Sequence, residues 1–298
     1  MNVSIVIVAY DAPAPLRRCL SELGDTRART VVVDNASPAG EGDLVGAEFP
    51  EVRTLRLSDN RGFGAGANAG VAASATPWVL LLNPDAWPLG PGLEELLRFA
   101  GERPRLGAAG PVLTSLEGRV QRSTIRPPLA PWSLALWAAA PEAVSRAYGV
   151  LRSGRSGRTP GGLRAGEFLQ GAALLLRREA FDAVGGFDER FFMYGEDADL
   201  CARLRAAGWE VELCPTARFV HLGAASTSGR ADAMYRELLR SWLRLIAKRD
   251  GLRRAERARR ALLVALRLRA AVQPRSAAAP VADWLTAAEV AELLGGAG

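Results

Sequence analysis

The sequence predicts an α/β fold: a mostly parallel central sheet flanked by helices, followed by basic helices at the C-terminal end. Three observations carry this. The runs Ser4–Val8, Thr30–Val33 and Trp78–Leu82 are apolar and rich in β-branched residues and leucine, as expected of strands covered on both faces, and Val52–Leu57 is read as a further strand between them. Strands alternate with helical segments, the pattern of βαβ units. Polar residues follow the strands directly, and sheets of this kind bind ligands beyond the carboxyl ends of their strands.

The totals set bounds. At 298 residues, about half of them apolar, the chain can bury a large core in one domain or two modest ones. Met1–Val8 enters an apolar run without a basic leader or a small-residue cleavage site, so a first strand is expected there and not a signal peptide. The longest apolar candidate for a membrane span, Leu129–Ala140, is short and bracketed by prolines. Cys19, Cys201 and Cys214 make no metal-binding spacing and suit a reducing cytosol. Charge is uneven: residues 234–270 hold twelve Arg/Lys against three acids, a net +9, while the whole chain is +6.

In chain order, the first strand breaks at Tyr10–Pro13, and Leu16, Cys19, Leu20 and Leu23 recur at helical spacing up to Gly24. Asp34 ends the second strand, where a carboxylate can accept the N3–H of uracil or thymine or act as an Asx-turn residue. The segment Asn60–Gly70 has the look of a phosphate-cradling glycine loop opening a helix. Glycines that let a helix lie close on the sheet explain it as well. No Gly-Lys-Ser/Thr follows, which excludes a P-loop, and glycines after the third strand disfavour the two-half dinucleotide fold. Asp85, in the tight turn Asn83–Pro84–Asp85 at a strand end, suits a hard divalent cation that also bridges two phosphates.

The aromatic loop from Phe187 to Tyr194 delivers Glu196 and Asp197 to the start of a helix, with Leu200, Leu204 and Ala207 on one face and Gly208 placed to stop it. Acidic residues there also complement the helix dipole. His221, the only histidine, lies at a strand end; a lone histidine is either a satisfied core residue or a ligand.

Taken together, Val3–Tyr10, Val31–Ser37, Asn60–Gly70, Leu80–Asp85, Gly171–Arg178, Gly185–Arg203 and Val220–His221 resemble the inverting family-two glycosyltransferases with a GT-A fold, the rhamnosyltransferase-like group in particular. The resemblance covers roughly the first 225 residues. It implies a glycosyltransferase domain over 1–230, with a nucleotide-sugar-binding half (1–115) and an acceptor or catalytic half (116–230), and a helical extension over 231–298. It implies that Asp34 contacts the nucleobase and that Ala9, Tyr10, Asn60, Gly62, Asn68, Asn83, Pro84, Gln170 and Gly171 surround a nucleotide-diphospho-sugar. Asp85 would be the last residue of the Asp-x-Asp metal motif, with Asn83 replacing its first aspartate, and His221 would complete the site for Mn²⁺ or Mg²⁺. Asp197 would be the general base, with Glu196 positioning the loop or contacting the acceptor. The favoured donor is dTDP-rhamnose, with a UDP-hexose or UDP-galactofuranose as the rival.

Residues 121–164, rich in Pro, Gly and Arg, are expected to form an acceptor-side lid with an amphipathic piece and a mobile Ser153–Gly162 stretch. Glu167–Ala172 is expected to return to the core as a strand. Tyr235, Leu239, Trp242 and Ile246 stripe one helix beside Arg236, Arg240, Arg244 and Lys248; a second spans about 253–272 and a short one 281–294. Such basic helices can lie on an anionic membrane surface or pack with a solvated charged face. A groove-fitting motif or exposed aromatic platform for nucleic acid is lacking. The expectation is a cytoplasmic enzyme, peripheral at the inner membrane face, acting on a glycan or lipid-linked acceptor. Rivals of another class are a non-catalytic nucleotide-sugar-binding protein and a basic surface adaptor.

Overall fold

The computed structural model describes residues 2–38, 40–140, 167–223 and 231–272. The strands read from the sequence form β1 (Val3–Ala9), β2 (Thr30–Asp34), β3 (Arg53–Arg56) and β4 (Trp78–Leu82). Every residue of β1, β2 and β4 is buried, whereas β3 lies at the sheet edge with Arg53 and Arg56 exposed, the charged dressing that keeps an edge from pairing further. Later come β5 (Ala86–Pro88), β6 (Leu106–Thr114), β7 (Thr124–Ile125), β8 (Phe168–Leu169), β9 (Ala173–Arg177) and β10 (Glu210–His221).

The main sheet has eight strands in the order β3-β2-β1-β4-β9-β6-β10-β5. The pairs β2–β3, β1–β2, β1–β4 and β6–β10 are parallel, and β4–β9, β6–β9 and β5–β10 are antiparallel. The sheet is therefore parallel by a narrow majority. Glu167–Ala172 does not return to the core as one strand: Phe168–Leu169 pairs with β7 in a separate two-stranded sheet, and the central strand begins at Ala173. Val211–Cys214 and Arg218–Val220 form one strand with a register shift between Leu213 and Arg218.

The helices are α1 (Pro13–Glu22), α2 (Glu41–Glu48), α3 (Phe63–Ala72), α4 (Gly92–Gly101), α5 (Pro131–Ala139), α6 (Arg178–Ala183), α7 (Glu196–Ala206), α8 (Ala231–Asp250) and α9 (Leu252–Val272). α7 ends where the sequence predicts, with Gly208 at φ +85°. The glycines of α3 act as packing contacts: a Cβ on Gly66 would lie 2.7 Å from Val8 Cγ1, and one on Gly70 would lie 2.3 Å from Val6 Cγ1 and 2.9 Å from Val33 Cγ2. α3 thus sits on β1 and β2 more closely than any side chain allows. Arg178 finishes it, its Nη2 donating to the carbonyls of Val71 (2.5 Å) and Ser74 (2.7 Å).

The chain divides into two compact units, Met1–Arg126 with Thr159–Ser228 and Pro127–Arg158 with Gly229–Gly298. The division at Ser228/Gly229 lies beside the expected boundary near residue 230, while the described residues 127–140 group with the C-terminal helices and not with the first unit. Within the second unit, Trp137 stacks on Tyr235 (centroids 5.8 Å apart) and meets Trp242 edge-on (4.6 Å), and Arg269 Nη1 donates to the Ala138 carbonyl at 3.1 Å. Leu239, Trp242 and Ile246 are buried, as the predicted stripe requires. The expected Ser153–Gly162 stretch, the 281–294 helix and the lid residues from 141 onward lie outside the described residues.

The close approach of α3 can be measured. Gly70→Ala should destabilise the fold by about 1–3 kcal/mol in a denaturant titration, because overpacking forces β1 and α3 apart. Gly46→Ala, in α2 with nothing within 4 Å of the added methyl, should be stabilising by up to about 1 kcal/mol.

Candidate active site

The registers Ala9↔Asp34, Ile7↔Leu82, Leu82↔Ala173 and Ala86↔His221 put the carboxyl ends of β1, β2, β4 and β10 and the amino end of β9 along one edge of the sheet. The non-glycine residues with positive φ, Asp11 (54°), Ala36 (61°) and Tyr194 (65°), follow β1 and β2 or precede α7. Such conformations are unfavourable for a side chain and persist only where neighbours hold them.

At the β1 and β2 ends, Ala9 is buried and its carbonyl accepts the Asn35 N–H at 2.9 Å, while Tyr10 is half-buried. Asp34 is fully buried. Its Oδ1 accepts the Ser37 N–H (2.8 Å) and its Oδ2 the Gly42 N–H (3.1 Å), with Arg56 Nε at 3.9 Å. These bonds brace the loop after β2; the Ser37 amide lies three residues on, one more than in the Asx-turn foreseen as the alternative for this carboxylate. A second buried carboxylate, Glu41, escaped the sequence reading: it accepts the Ala12 N–H and the Ser37 hydroxyl, tying the two strand-end loops together. Asn35 Nδ2 donates to Asn60 Oδ1 (2.9 Å) and to the Gly62 carbonyl (3.1 Å). Its buried Oδ1 makes no hydrogen bond.

Beyond β4, the Asn83 N–H bonds to the Ala172 carbonyl (2.9 Å), and Pro84 and Asp85 are buried in the turn. Asp85 Oδ1 faces His221 Nε2 at 3.6 Å, and the Leu222 N–H donates to the Asp85 carbonyl at 3.0 Å. Gln121, also missed from sequence, settles the histidine's tautomer. Its Nε2 donates to the His221 carbonyl (2.8 Å), so its Oε1 is the atom 3.2 Å from Nδ1, and Nδ1 must carry the proton. Burial lowers the imidazole pKa, against the opposing pull of Asp85. A neutral Nε2 lone pair and a carboxylate oxygen therefore confront each other, an arrangement of two acceptors that suits a shared cation. Among the described residues no group of three His, Cys, Asp or Glu converges, so Asp85 and His221 are the two side chains here that could hold a cation, and other oxygen atoms would have to complete its shell.

Asp197 opens α7 and is buried. Its Oδ2 accepts the Gly171 N–H at 3.1 Å and its Oδ1 the Ala198 N–H at 2.8 Å. Burial pushes its pKa up to about 6, partly offset by those amides. Gln170 donates its N–H to the Ser123 carbonyl (3.1 Å). Glu196, next to Asp197 in the chain, is also buried; burial raises the Tyr194 pKa, and the Glu196 charge adds to the rise. Asp199 pairs with Arg203 at 2.7 Å and serves the helix. Asn83–Ala172 and Gly171–Asp197 thus link the Asp85 turn to Asp197 through adjacent residues. The start of α3, for which a phosphate cradle and close packing on the sheet were both open, gives its Phe63 N–H to the Phe192 carbonyl (2.9 Å), and Asn68 bonds to Phe187 and Glu189.

The sequence model of the family described as Glycosyl transferase family 2 matches residues 4–185, and that described as N-terminal domain of galactosyltransferase matches 163–224. The chain is 36% identical over 258 residues to the N-acetylglucosaminyl-diphospho-decaprenol L-rhamnosyltransferase of Mycobacterium tuberculosis, covering 78% of this chain and 79% of that protein. It is 31% identical over 241 residues to the O-antigen biosynthesis protein RfbC of Myxococcus xanthus, covering 78% of this chain and 18% of that one. Its fold is similar to that of the mannosyltransferase PcManGT from Pyrobaculum calidifontis, solved with GDP-Man and Mn²⁺ (TM-score 0.55, 18% identity, 99% of this chain and 85% of that chain). On the strength of a family match across most of the chain and a relative similar along most of both lengths, this protein belongs to glycosyl transferase family 2 and has the GT-A fold.

Proposed function

We propose that this glycosyltransferase is inverting and metal-dependent, moving L-rhamnose from dTDP-rhamnose to a hydroxyl of a lipid-linked acceptor, with Asp197 as the general base. The observation that carries the reading is the buried Asp197 carboxylate, fixed by two amides and joined through Gly171–Ala172 to the turn that holds Asp85. Its raised pKa supports the role, since a base near neutrality is both ionised and proton-seeking. In the reaction the acceptor oxygen bonds to the anomeric carbon as the bond to the diphosphate breaks. The hydroxyl proton passes to Asp197, and the electron pair leaves with the nucleoside diphosphate. Asp85 and His221 would hold Mn²⁺ or Mg²⁺, which neutralises charge on that leaving group. Gln121 keeps the His221 Nε2 lone pair turned inward. The rhamnosyl donor and the lipid-linked acceptor are supported by the name of the 36% identical mycobacterial relative, an N-acetylglucosaminyl-diphospho-decaprenol L-rhamnosyltransferase.

A lipid-linked acceptor requires work at a membrane face, and we propose that the second unit supplies the contact. Among the described residues no helix is long and apolar enough to cross a membrane. α9 instead exposes Val264 (59%) and Leu268 (63%) one turn apart, next to the exposed Arg257, Arg260 and Arg267. Apolar residues set among arginines suit an anionic lipid surface at the cytoplasmic face.

A nucleotide-release screen over dTDP-rhamnose and UDP-sugars, with Mn²⁺ and a polyprenyl-diphosphate-linked glycan, tests the reaction; turnover only with a UDP-sugar would replace the donor. Asp197→Asn should lower kcat by about 10²–10⁴-fold with nucleotide affinity retained. In the wild type, kcat/KM should rise with pH through about 6, as the carboxylate loses its proton, and level off above. His221→Ala should abolish the manganese enhancement of nucleotide binding, and Gln121→Ala should weaken it by roughly 10–100-fold in calorimetry. Full-length protein should co-sediment with phosphatidylglycerol vesicles at low salt, and Val264→Asp with Leu268→Asp should reduce that binding by about 10-fold or more. Indifference to the vesicles would remove the membrane contact.

A further inference from the structure

We propose that Asn68, with the Arg61–Glu189 pair, is a latch that positions the loop carrying Asp197. The inference rests on Asp197 being the base, and it gives α3 a task other than binding phosphate. The Asn68 side chain meets the Phe187 peptide as a second peptide would: Oδ1 accepts the Phe187 N–H at 2.9 Å and Nδ2 donates to the Phe187 carbonyl at 3.0 Å. The other Nδ2 hydrogen goes to Glu189 Oε1 at 3.0 Å. Both donors of the amide are thus spent within the protein, and none is left for a sugar nucleotide. Glu189 Oε2 in turn takes Arg61 Nη2 at 2.7 Å. A Cβ on Gly186 would come within 2.8 Å of Asn68 Oδ1, so the backbone before Phe187 is also seated on this side chain.

The far end of the loop is held by main chain. The Phe63 N–H donates to the Phe192 carbonyl at 2.9 Å, and Gly62 is glycine because a Cβ there would lie 2.1 Å from that carbonyl oxygen. Phe187 fills the space between, its ring edge-on to Phe63 (6.0 Å) and Phe181 (5.6 Å). The segment 187–192 is therefore fixed at both ends. Only Met193, Tyr194 (φ 65°) and Gly195 (φ 87°) separate it from α7, leaving little freedom to the position of Asp197. The same α3 start is bonded to Asn35 through Asn60 and Gly62, so the β2 end and the base-bearing loop share one anchor. Asn68 touches no reacting atom and is a positioning residue.

The test uses full-length Asn68→Ala, Glu189→Ala and Glu189→Gln. With the donor that the wild type turns over, Asn68→Ala should lower kcat by about 10-fold or more while donor KM stays within about twofold, as expected when a catalytic group is displaced without loss of a binding contact. Glu189→Ala should fall in the same direction, and Glu189→Gln, which keeps an acceptor for Asn68, should recover to within about threefold of wild type. Hydrogen exchange of amides 188–195 should quicken by about 10-fold or more in Asn68→Ala with β1 and α4 unchanged. A rise in donor KM at constant kcat would assign Asn68 to the donor and overturn the latch, as would unchanged kcat and exchange. If Asn68→Ala loses β1 protection, Glu189→Ala carries the same readings. Should the wild type turn over no sugar donor, the base reading fails, and the exchange measurement still decides the latch.

Discussion

The site depends on β9 running against β4. Because the pair is antiparallel, the amino end of β9 lies at the carboxyl edge of β4, and the residues before it, Gly171 and Ala172, stand at that edge. Ala172 then takes the Asn83 N–H and Gly171 gives its own to Asp197. A parallel strand in that place would send its amino end to the opposite edge. Groups more than a hundred residues apart in the chain are thereby joined by two adjacent peptides. The parallel β6–β10 pair completes the arrangement by carrying His221 to the same edge, where β5 pairs beside it.

The buried carboxylates of this edge are treated differently, and the difference separates scaffold from chemistry. Asp34 and Glu41 are enclosed with their acceptor positions directed at backbone amides and a hydroxyl, and they hold the loops after β1 and β2. Asp85 faces the His221 Nε2 lone pair, and Asp197, although each of its oxygens takes an amide as those of Asp34 do, has its pKa pushed by burial up to about 6. Groups of the first kind brace loops of the fold, whereas the second kind are the ones to which the proposed function gives a cation and a proton.

The readable parts of the sequence were those in which a single residue type carries a single meaning. β1, β2 and β4 announce themselves by β-branched or leucine runs, and α7 by its apolar spacing and Gly208. β6, Leu-Gly-Ala-Ala-Gly-Pro-Val-Leu-Thr, hid because alanine and glycine have no strand preference; its small residues are needed where Trp209 and Leu169 crowd Gly107 and Gly110. β9 hid for the opposite reason, as Ala-Leu-Leu-Leu-Arg suits a helix as well as a strand until neighbours on both sides decide. The glycines of Asn60–Gly70 were legible as a requirement for closeness but not as to what comes close, and the answers, Val6, Val8 and Phe192, are distant in sequence. Gln121 left no local signal because its partner His221 lies 100 residues away, and the nearby Ser37 hydroxyl gave no hint that Glu41 also reaches Ala12, 29 residues away.

The environment of Asp197 can be understood as a compromise between basicity and ionisation. A fully solvated carboxylate is ionised but a poor proton acceptor, while a carboxylate in a purely apolar cavity would hold its proton at neutral pH and accept nothing. Burial moves Asp197 toward the second extreme, and the Gly171 and Ala198 amides, with the start of α7, pull it back to about 6. At neutral pH such a group is mostly ionised and yet takes a proton more readily than a carboxylate in water. The compromise also constrains the loop that leads to it. The geometry of both amides must be kept for the balance to hold, so the segment before α7 has to be rigid although two of its residues, Tyr194 and Gly195, adopt left-handed conformations. Rigidity at that point cannot come from those residues themselves. In the proposed latch it is imposed from outside, by the hydrogen bonds of 187–192 to α3.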